Sequence, residues 1–314
     1  MDIDLEKQSD LLLGISSLEQ TEHGLLSLRF NEANAWDGLE GFMQGCPAGV
    51  RISFASDARR LVLTLRLGEA PFDCGRGTVD VLVDGKTIAS VTPEAPLKDG
   101  QRFVVATDLP SGYESAVVYL PTYRKAEIES FQLEGATFVR AYRPFKERIL
   151  FIGDSITQGY GSSPADCYAA RYARLTHRDF LNLGIGGACM PGHLPETLRV
   201  DDYSEVVFAF GTNDANNFRT PEVMAESLGN FVAFMKGHSP RVTIWSPVPW
   251  PQGEREEKRD YWCRVVDAIR SFAASHPEIR FIDAARVLPW DDDYFVDGTH
   301  PNTVGMAMLS HAFC

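Results

Sequence analysis

No uninterrupted apolar run in the chain nears the roughly 18–20 residues that a membrane-spanning helix needs. No secretory leader opens it either, because Met1-Asp2-Ile3-Asp4-Leu5-Glu6-Lys7 is acidic and has no basic stretch ahead of an apolar one. Export and a membrane partner are therefore not expected, and a cytoplasmic protein is. Positive charge is scarce: 30 Lys and Arg against 43 Asp and Glu leave a formal charge of −13. Such a surface repels phosphate backbones and anionic lipid, so nucleic acid is not an expected partner. The six cysteines (Cys46, Cys74, Cys167, Cys189, Cys263, Cys314) include no Cys-x-x-Cys pair, which excludes a zinc ribbon and argues against a disulfide framework. Internal repeats and low-complexity segments are also missing. What is present is ordinary globular material, 44% apolar and 23% charged over 314 residues, enough for two domains.

The two halves have different rhythms. Up to residue 145, Val50, Ile52 and Phe54, and then Leu61, Leu63, Leu65 and Leu67, recur with the period of two that marks half-buried strands. Thr78–Val83 and Lys86–Val91 flank Asp84-Gly85, a strong hairpin signal. Further strands are predicted at Arg102–Ala106, Ser115–Leu120 and Ile128–Leu133, with prolines between the runs. This half reads as an all-β, jelly-roll-like sandwich. From residue 146 onward, buried runs at Ile149–Ile152, Phe180–Leu183, Val206–Phe210, Val242–Trp245 and Ile279–Ile282 appear. They alternate with helical patterns at Ala165–Thr176, Pro221–Lys236, Glu254–Ser275 and Asn302–Phe313. That alternation predicts an α/β domain, a parallel sheet flanked by helices.

Polar turns follow several of these strands. Ligands of doubly wound sheets sit at the carboxyl ends of strands, so Ser155, in Gly153-Asp154-Ser155, stands where a nucleophile belongs; it also suits a helix cap. Asp297-Gly298-Thr299-His300-Pro301 offers the base that a serine hydroxyl needs and a carboxylate to orient that base. Pro301 fits the first turn of the last helix, although Asp-Gly alone is an ordinary turn. Gly211-Thr212-Asn213-Asp214 supplies an Asn amide for a developing oxyanion, or an Asx-turn. Asn182-Leu183-Gly184-Ile185-Gly186-Gly187 lets a backbone N–H approach a ligand. Gly184-x-Gly186-x-x-Cys189 fails as a dinucleotide fingerprint at its third glycine. A nucleophile, base, orienting acid and oxyanion donors together describe acyl transfer.

In these blocks and their order, residues 148–314 resemble the SGNH (GDSL) hydrolase family. The resemblance implies a flavodoxin-like domain with Ser155 as nucleophile, Asp297 and His300 completing the triad, and Gly187 and Asn213 as oxyanion donors with the Ser155 N–H. Ile156 replaces the usual Leu and Gly186 a common Ser. The Gly-x-Ser-x-Gly elbow of α/β-hydrolases is absent, as expected for this separate fold. A sandwich ahead of such a domain resembles carbohydrate esterase family 2, which implies sugar or glycan deacetylation.

The expectation is a serine esterase acting on short-chain acyl esters through an acyl-enzyme, with an acylated carbohydrate or another small-molecule ester as substrate. An acyltransferase or broad esterase with the same triad is the alternative, and a glycan-binding protein with a vestigial site is a third. Trp250 and His193 are candidate pocket residues; Trp245 suits core or pocket, and His193 and Met190 suit a surface loop or the pocket. Asp291-Asp292-Asp293 has no His or Cys ligand spacing near it, so no metal and no cofactor are expected.

Overall fold

The alternating runs of the N-terminal half form strands in the computed structural model, which describes residues 1–36, 43, 45–68, 77–95, 98–249 and 256–314. Among these residues two compact units are distinguished. One holds the first twelve strands; the other holds the chain from Glu147 onward, apart from Ser163–Ala165, together with Glu32–Trp36.

The first unit comprises β1 (Asp2–Ile3), β2 (Leu12–Leu13), β3 (Ser17–Gln20), β4 (Leu25–Leu28), β5 (Arg51–Ser56), β6 (Arg60–Leu67), β7 (Val79–Val83), β8 (Lys86–Val91), β9 (Gln101–Asp108), β10 (Ala116–Tyr119), β11 (Ala126–Glu134) and β12 (Val139–Ala141). They make two antiparallel sheets, ordered β3-β4-β11-β6-β9 with β1 on β11, and β12-β5-β10-β7-β8 with β2 on β5. From β4 to β12 the chain changes sheet at every connection except the β7–β8 hairpin. The inward residues share one core, which unites Ile52 and Phe54 of one sheet with Leu61, Leu63, Leu65 and Phe131 of the other. Phe54 and Phe131 meet edge to face at 5.5 Å. Each such side chain removed from water is worth about 1.5–3 kcal/mol, and this shared core stabilises the sandwich. Asp84 and Gly85 have φ of 48° and 77°, the left-handed pair that a type I′ hairpin requires. β1 to β4 and β12 were not anticipated, since runs of two to four residues are too short to display a period.

The second unit is built on β13 (Arg148–Gly153), β14 (Asp179–Gly184), β15 (Glu205–Ala209), β16 (Arg241–Trp245) and β17 (Arg280–Ile282). All pair in parallel, in the order β14-β13-β15-β16-β17. This is the flavodoxin-like order, which brings every strand's carboxyl end to one edge. β14 and β15 are buried along their whole length and β13 from Ile149 onward, as a sheet covered on both faces demands. Helices span Tyr168–Leu175, Pro221–Met235, Glu256–Ala274 and Thr303–Ala312.

Two helix starts differ from the sequence reading. Residues 164–166 form a separate 3-10 turn, and Cys167 is extended (φ −61°, ψ 148°), so the α-helix begins at Tyr168 rather than Ala165. The last helix begins at Thr303 because the Asn302 side chain accepts the amides of Val304 and Gly305. Pro301 therefore lies outside that helix, bridged to Phe295.

Among the described residues no helix is long and apolar enough to cross a membrane.

Candidate active site

β13 runs straight into a short helix, Ser155–Gln158. Asp154 is the residue that caps it: its side chain accepts the Ile156 amide at 3.0 Å. That leaves the Ser155 hydroxyl free for another partner, and it lies 2.8 Å from His300 Nε2. As the first helical residue, Ser155 has an amide with no intrahelical carbonyl to serve.

The Asp297–His300 segment is a closed turn. The Val296 amide donates to the His300 carbonyl at 2.9 Å, and Phe295 bridges Pro301. Inside it Asp297 Oδ1 accepts the amides of Thr299 (3.1 Å) and His300 (2.8 Å), while Oδ2 lies 2.8 Å from His300 Nδ1. One carboxylate thus shapes the turn and orients the ring. Partial burial pushes the Asp297 carboxyl up, but the hydrogen bond and charge of His300 and the two amides prevail and hold it below its ordinary value. The unbroken line from Asp297 through His300 to Ser155 is an arrangement that can take a proton from a hydroxyl.

The last residue of β14 and the two glycines in the loop after it offer three amides, two of which are spent. Gly184 N donates to Asn182 Oδ1 (2.9 Å) and Gly186 N to Gln158 Oε1 (2.8 Å). Gly187, at φ 79° in the turn closed by Ala188 N to Ile185 O, is exposed, and a Cβ there would meet open space. After β15, Asn213 lies in the helix Thr212–Asn216, and its Nδ2 donates one hydrogen to the Ala188 carbonyl at 2.9 Å. The amide group carries a second. Sequence reasoning missed the groups that fasten these loops. Asp214, fully buried, accepts the Met190 amide with both oxygens (3.2 and 3.1 Å) and pairs with Arg219 at 2.9 Å. Burial raises its carboxyl, and the Met190 amide and the Arg219 charge oppose that rise. Gln158 has a similar role from the helix that Ser155 opens, and only its position three residues after Ser155 could have signalled it.

Tyr160 was missed too. Its ring stacks on His300 with centroids 3.9 Å apart and planes at 26°. The flanking Gly161 (φ 86°) is required by close approach, since a Cβ there would come within 2.9 Å of both the Pro301 carbonyl and Val296 Cγ2.

The softer candidates stand apart. His193 is exposed on the loop beyond Gly187, with no hydrogen bond or ring contact to Ser155 or His300. Trp250 lies outside the described residues. Trp245 is core, packed on Tyr168 at 4.9 Å, and Met190 is buried. Asp291–Asp293 are exposed, with Asp291 capping a 3-10 turn. Among the described residues no group of three or more His, Cys, Asp or Glu could hold a metal ion.

The whole-chain fold recurs in solved structures. A GDSL-like lipase from Bacteroides ovatus superposes with a TM-score of 0.74 at 20% identity, over 95% of this chain and 92% of that one. The salicylyl-acyltransferase SsfX3 from a tetracycline biosynthetic pathway gives 0.71 at 22% identity (96% and 92%). A family two carbohydrate esterase from Clostridium thermocellum, in complex with cellohexaose, gives 0.62 at 17% identity, covering 96% of each chain. A search of curated proteins returns no match. The GDSL-like Lipase/Acylhydrolase family matches residues 151–308, half of the sequence and all of the segments just described from Ser155 to His300. The chain belongs to the GDSL-like lipase/acylhydrolase family, a family of carboxylic ester hydrolases.

Proposed function

We propose that this chain is a serine esterase that removes short acyl groups, most specifically O-acetyl groups from a carbohydrate. The observation that carries the reading is the pair of 2.8 Å contacts linking Asp297, His300 and Ser155. In this mechanism His300 Nε2 takes the Ser155 proton as Oγ attacks the ester carbonyl. Asp297 holds the ring at Nδ1 and offsets the imidazolium charge. The carbonyl oxygen, now negative, accepts hydrogen bonds from the amides of Ser155 and Gly187 and from Asn213 Nδ2. The tetrahedral centre collapses, His300 passes the proton to the departing alcohol, and an acyl-enzyme remains. Water, deprotonated in turn by His300, attacks that ester and releases the carboxylic acid and the serine.

Several features support details of this scheme. The amides of Gly184 and Gly186 are engaged elsewhere, which favours Gly187 as donor. The chemistry is assigned to residues 146–314 and the sandwich of residues 1–145 is given no catalytic part. Exposed His193 is the candidate contact for the alcohol portion, with Trp250 as a stacking surface for a sugar. The two-part fold shared with family two carbohydrate esterases supports an acetylated glycan as substrate. Discharge of the same acyl-enzyme by an alcohol is the second reading, prompted by the salicylyl-acyltransferase that shares this fold.

The test is Ser155→Ala. It should keep the wild-type melting temperature and lose turnover of a short-chain aryl ester by at least about 10³-fold. Wild-type rates in that variant would end the proposal. With the active enzyme, acetylated sugars set against longer-chain esters by kcat/KM, with product ratios in added alcohol, separate deacetylase, broad esterase and transferase.

A further inference from the structure

We propose that Tyr160 is a positioning residue for His300, holding the imidazole against Ser155 through a stacked ring. The inference rests on the reading of Ser155 and His300 as nucleophile and base.

The geometry couples Tyr160 to both partners at once. Its amide donates to the Ser155 carbonyl at 3.0 Å, which fixes its backbone to the residue that carries the hydroxyl. Its ring lies 3.9 Å from the His300 ring and nearly parallel to it. Gly161, one residue on, allows the loop to close against Pro301 and Val296, where any side chain would force it away. A stack anchored this way removes a freedom that His300 otherwise has. The Nδ1 contact to Asp297 and the Nε2 contact to Ser155 define one axis, and rotation about that axis is stopped by the neighbouring ring.

The stack also has an electrostatic consequence. When His300 takes the proton from Ser155 its ring becomes a cation, and the face of an aromatic ring attracts a cation. Among the described residues, the groups that meet the imidazole are Asp297 on its own turn, Ser155 at the head of the helix and Tyr160 beside it. Asp297 favours the cation along the edge of the ring and Tyr160 across its face. No hydroxyl chemistry is asked of Tyr160, so phenylalanine should replace it.

The experiment compares Tyr160→Phe with Tyr160→Leu in the full-length enzyme, by kcat, KM and the pH profile of kcat/KM on a short-chain aryl ester. Leucine keeps that side of the imidazole apolar but has no π face. Tyr160→Phe is expected to stay within about twofold of wild type, with an unmoved pH profile. Tyr160→Leu is expected to lose about tenfold in kcat with KM unchanged. Its pH profile of kcat/KM should move with it, because the protonated ring loses a stabilising partner. A Tyr160→Leu enzyme with wild-type kcat and pH profile overturns the proposal, even if it melts earlier. So does a change confined to KM, which would make Tyr160 a substrate contact. If Tyr160→Leu does not fold, Tyr160→Met supplies the same contrast. Ser155→Ala and His300→Ala run alongside. If either retains turnover, the underlying reading and this one fall together; if both are inactive while Tyr160→Leu matches wild type, only the role of Tyr160 falls.

Discussion

Asp154 stands between the strand that ends at Gly153 and the hydroxyl of Ser155, completely buried, with Oδ1 accepting the Ile156 amide and Oδ2 without a hydrogen-bond partner among the described residues. Burial, reinforced by the charge of Asp214, pushes its carboxyl from 3.8 up to about 7. The native protein therefore binds this proton more tightly than the unfolded chain does. By linkage, stability contributed by the neutral acid is full at low pH, declines as pH rises from about 4 to about 7, and is flat beyond. Asparagine retains an oxygen for the Ile156 amide and cannot ionise. Asp154→Asn should thus match the wild-type melting temperature near about pH 4.5 and exceed it near about pH 8. Thermal unfolding across that range checks it; a difference independent of pH would mean that the carboxyl does not titrate in this window. Asp297 has the opposite sign, since its depressed carboxyl contributes stability that is lost as pH falls. Comparing the two proteins at each pH removes that common background.

At the level of elements, the loop bearing Gly187 is gripped from two sides. Gln158 takes the Gly186 amide from the Ser155 helix; Asn213, Asp214 and Arg219 hold Ala188 and Met190 from the far side. Arg219 Nη1 reaches both the Met190 carbonyl (2.6 Å) and Asp214 (2.9 Å), so it neutralises a buried carboxylate and closes the clasp together. Arg219→Met should lower stability by about 2 kcal/mol, since Asp214 stays buried without its cation. It should also reduce kcat more than it raises KM, because the Gly187 amide loses its fixed place. Denaturant unfolding and steady-state kinetics check the two halves; unchanged kcat would mean that the clasp is dispensable. This clasp also marks where sequence reading runs out. The five parallel strands were legible as apolar runs alternating with helical patterns, and Ser155, Asp297 and His300 stood out as reactive side chains in short polar blocks, one after a strand and one before the last helix. Arg219, Gln158 and Tyr160 belong to no periodic pattern. Their partners, Met190, Gly186 and His300, are set by how separate loops fold against each other. The same applies to Trp36, whose Nε1 donates to the Leu183 carbonyl at 3.2 Å and whose ring meets Phe210, far along the chain. The Ala165 and Pro301 helix starts went astray for a local reason: Cys167 and Asn302 adopt extended cap conformations that composition does not reveal.

For the molecule as a whole, the formal charge of −13 bears on which esters arrive. Approach of a neutral ester is indifferent to this field, whereas an anionic one is repelled at long range and salt relieves the repulsion. Raising salt from about 20 to about 200 mM should increase kcat/KM for an anionic aryl ester by about two- to fivefold and leave its neutral counterpart unchanged. Parallel responses of the two substrates would remove net charge as a selector. One small feature reaches further than its size suggests. The candidate base and its acid share a single hairpin, clamped at its neck by Val296 and His300, whereas the hydroxyl that meets the ring lies 145 residues upstream. The dyad is in effect a cassette: truncation, permutation or recombination that spares residues 295–301 carries both members away already aligned. Only their rendezvous with Ser155 would have to be rebuilt, so loosening of the domain should cost the enzyme that encounter first and the alignment of the dyad last.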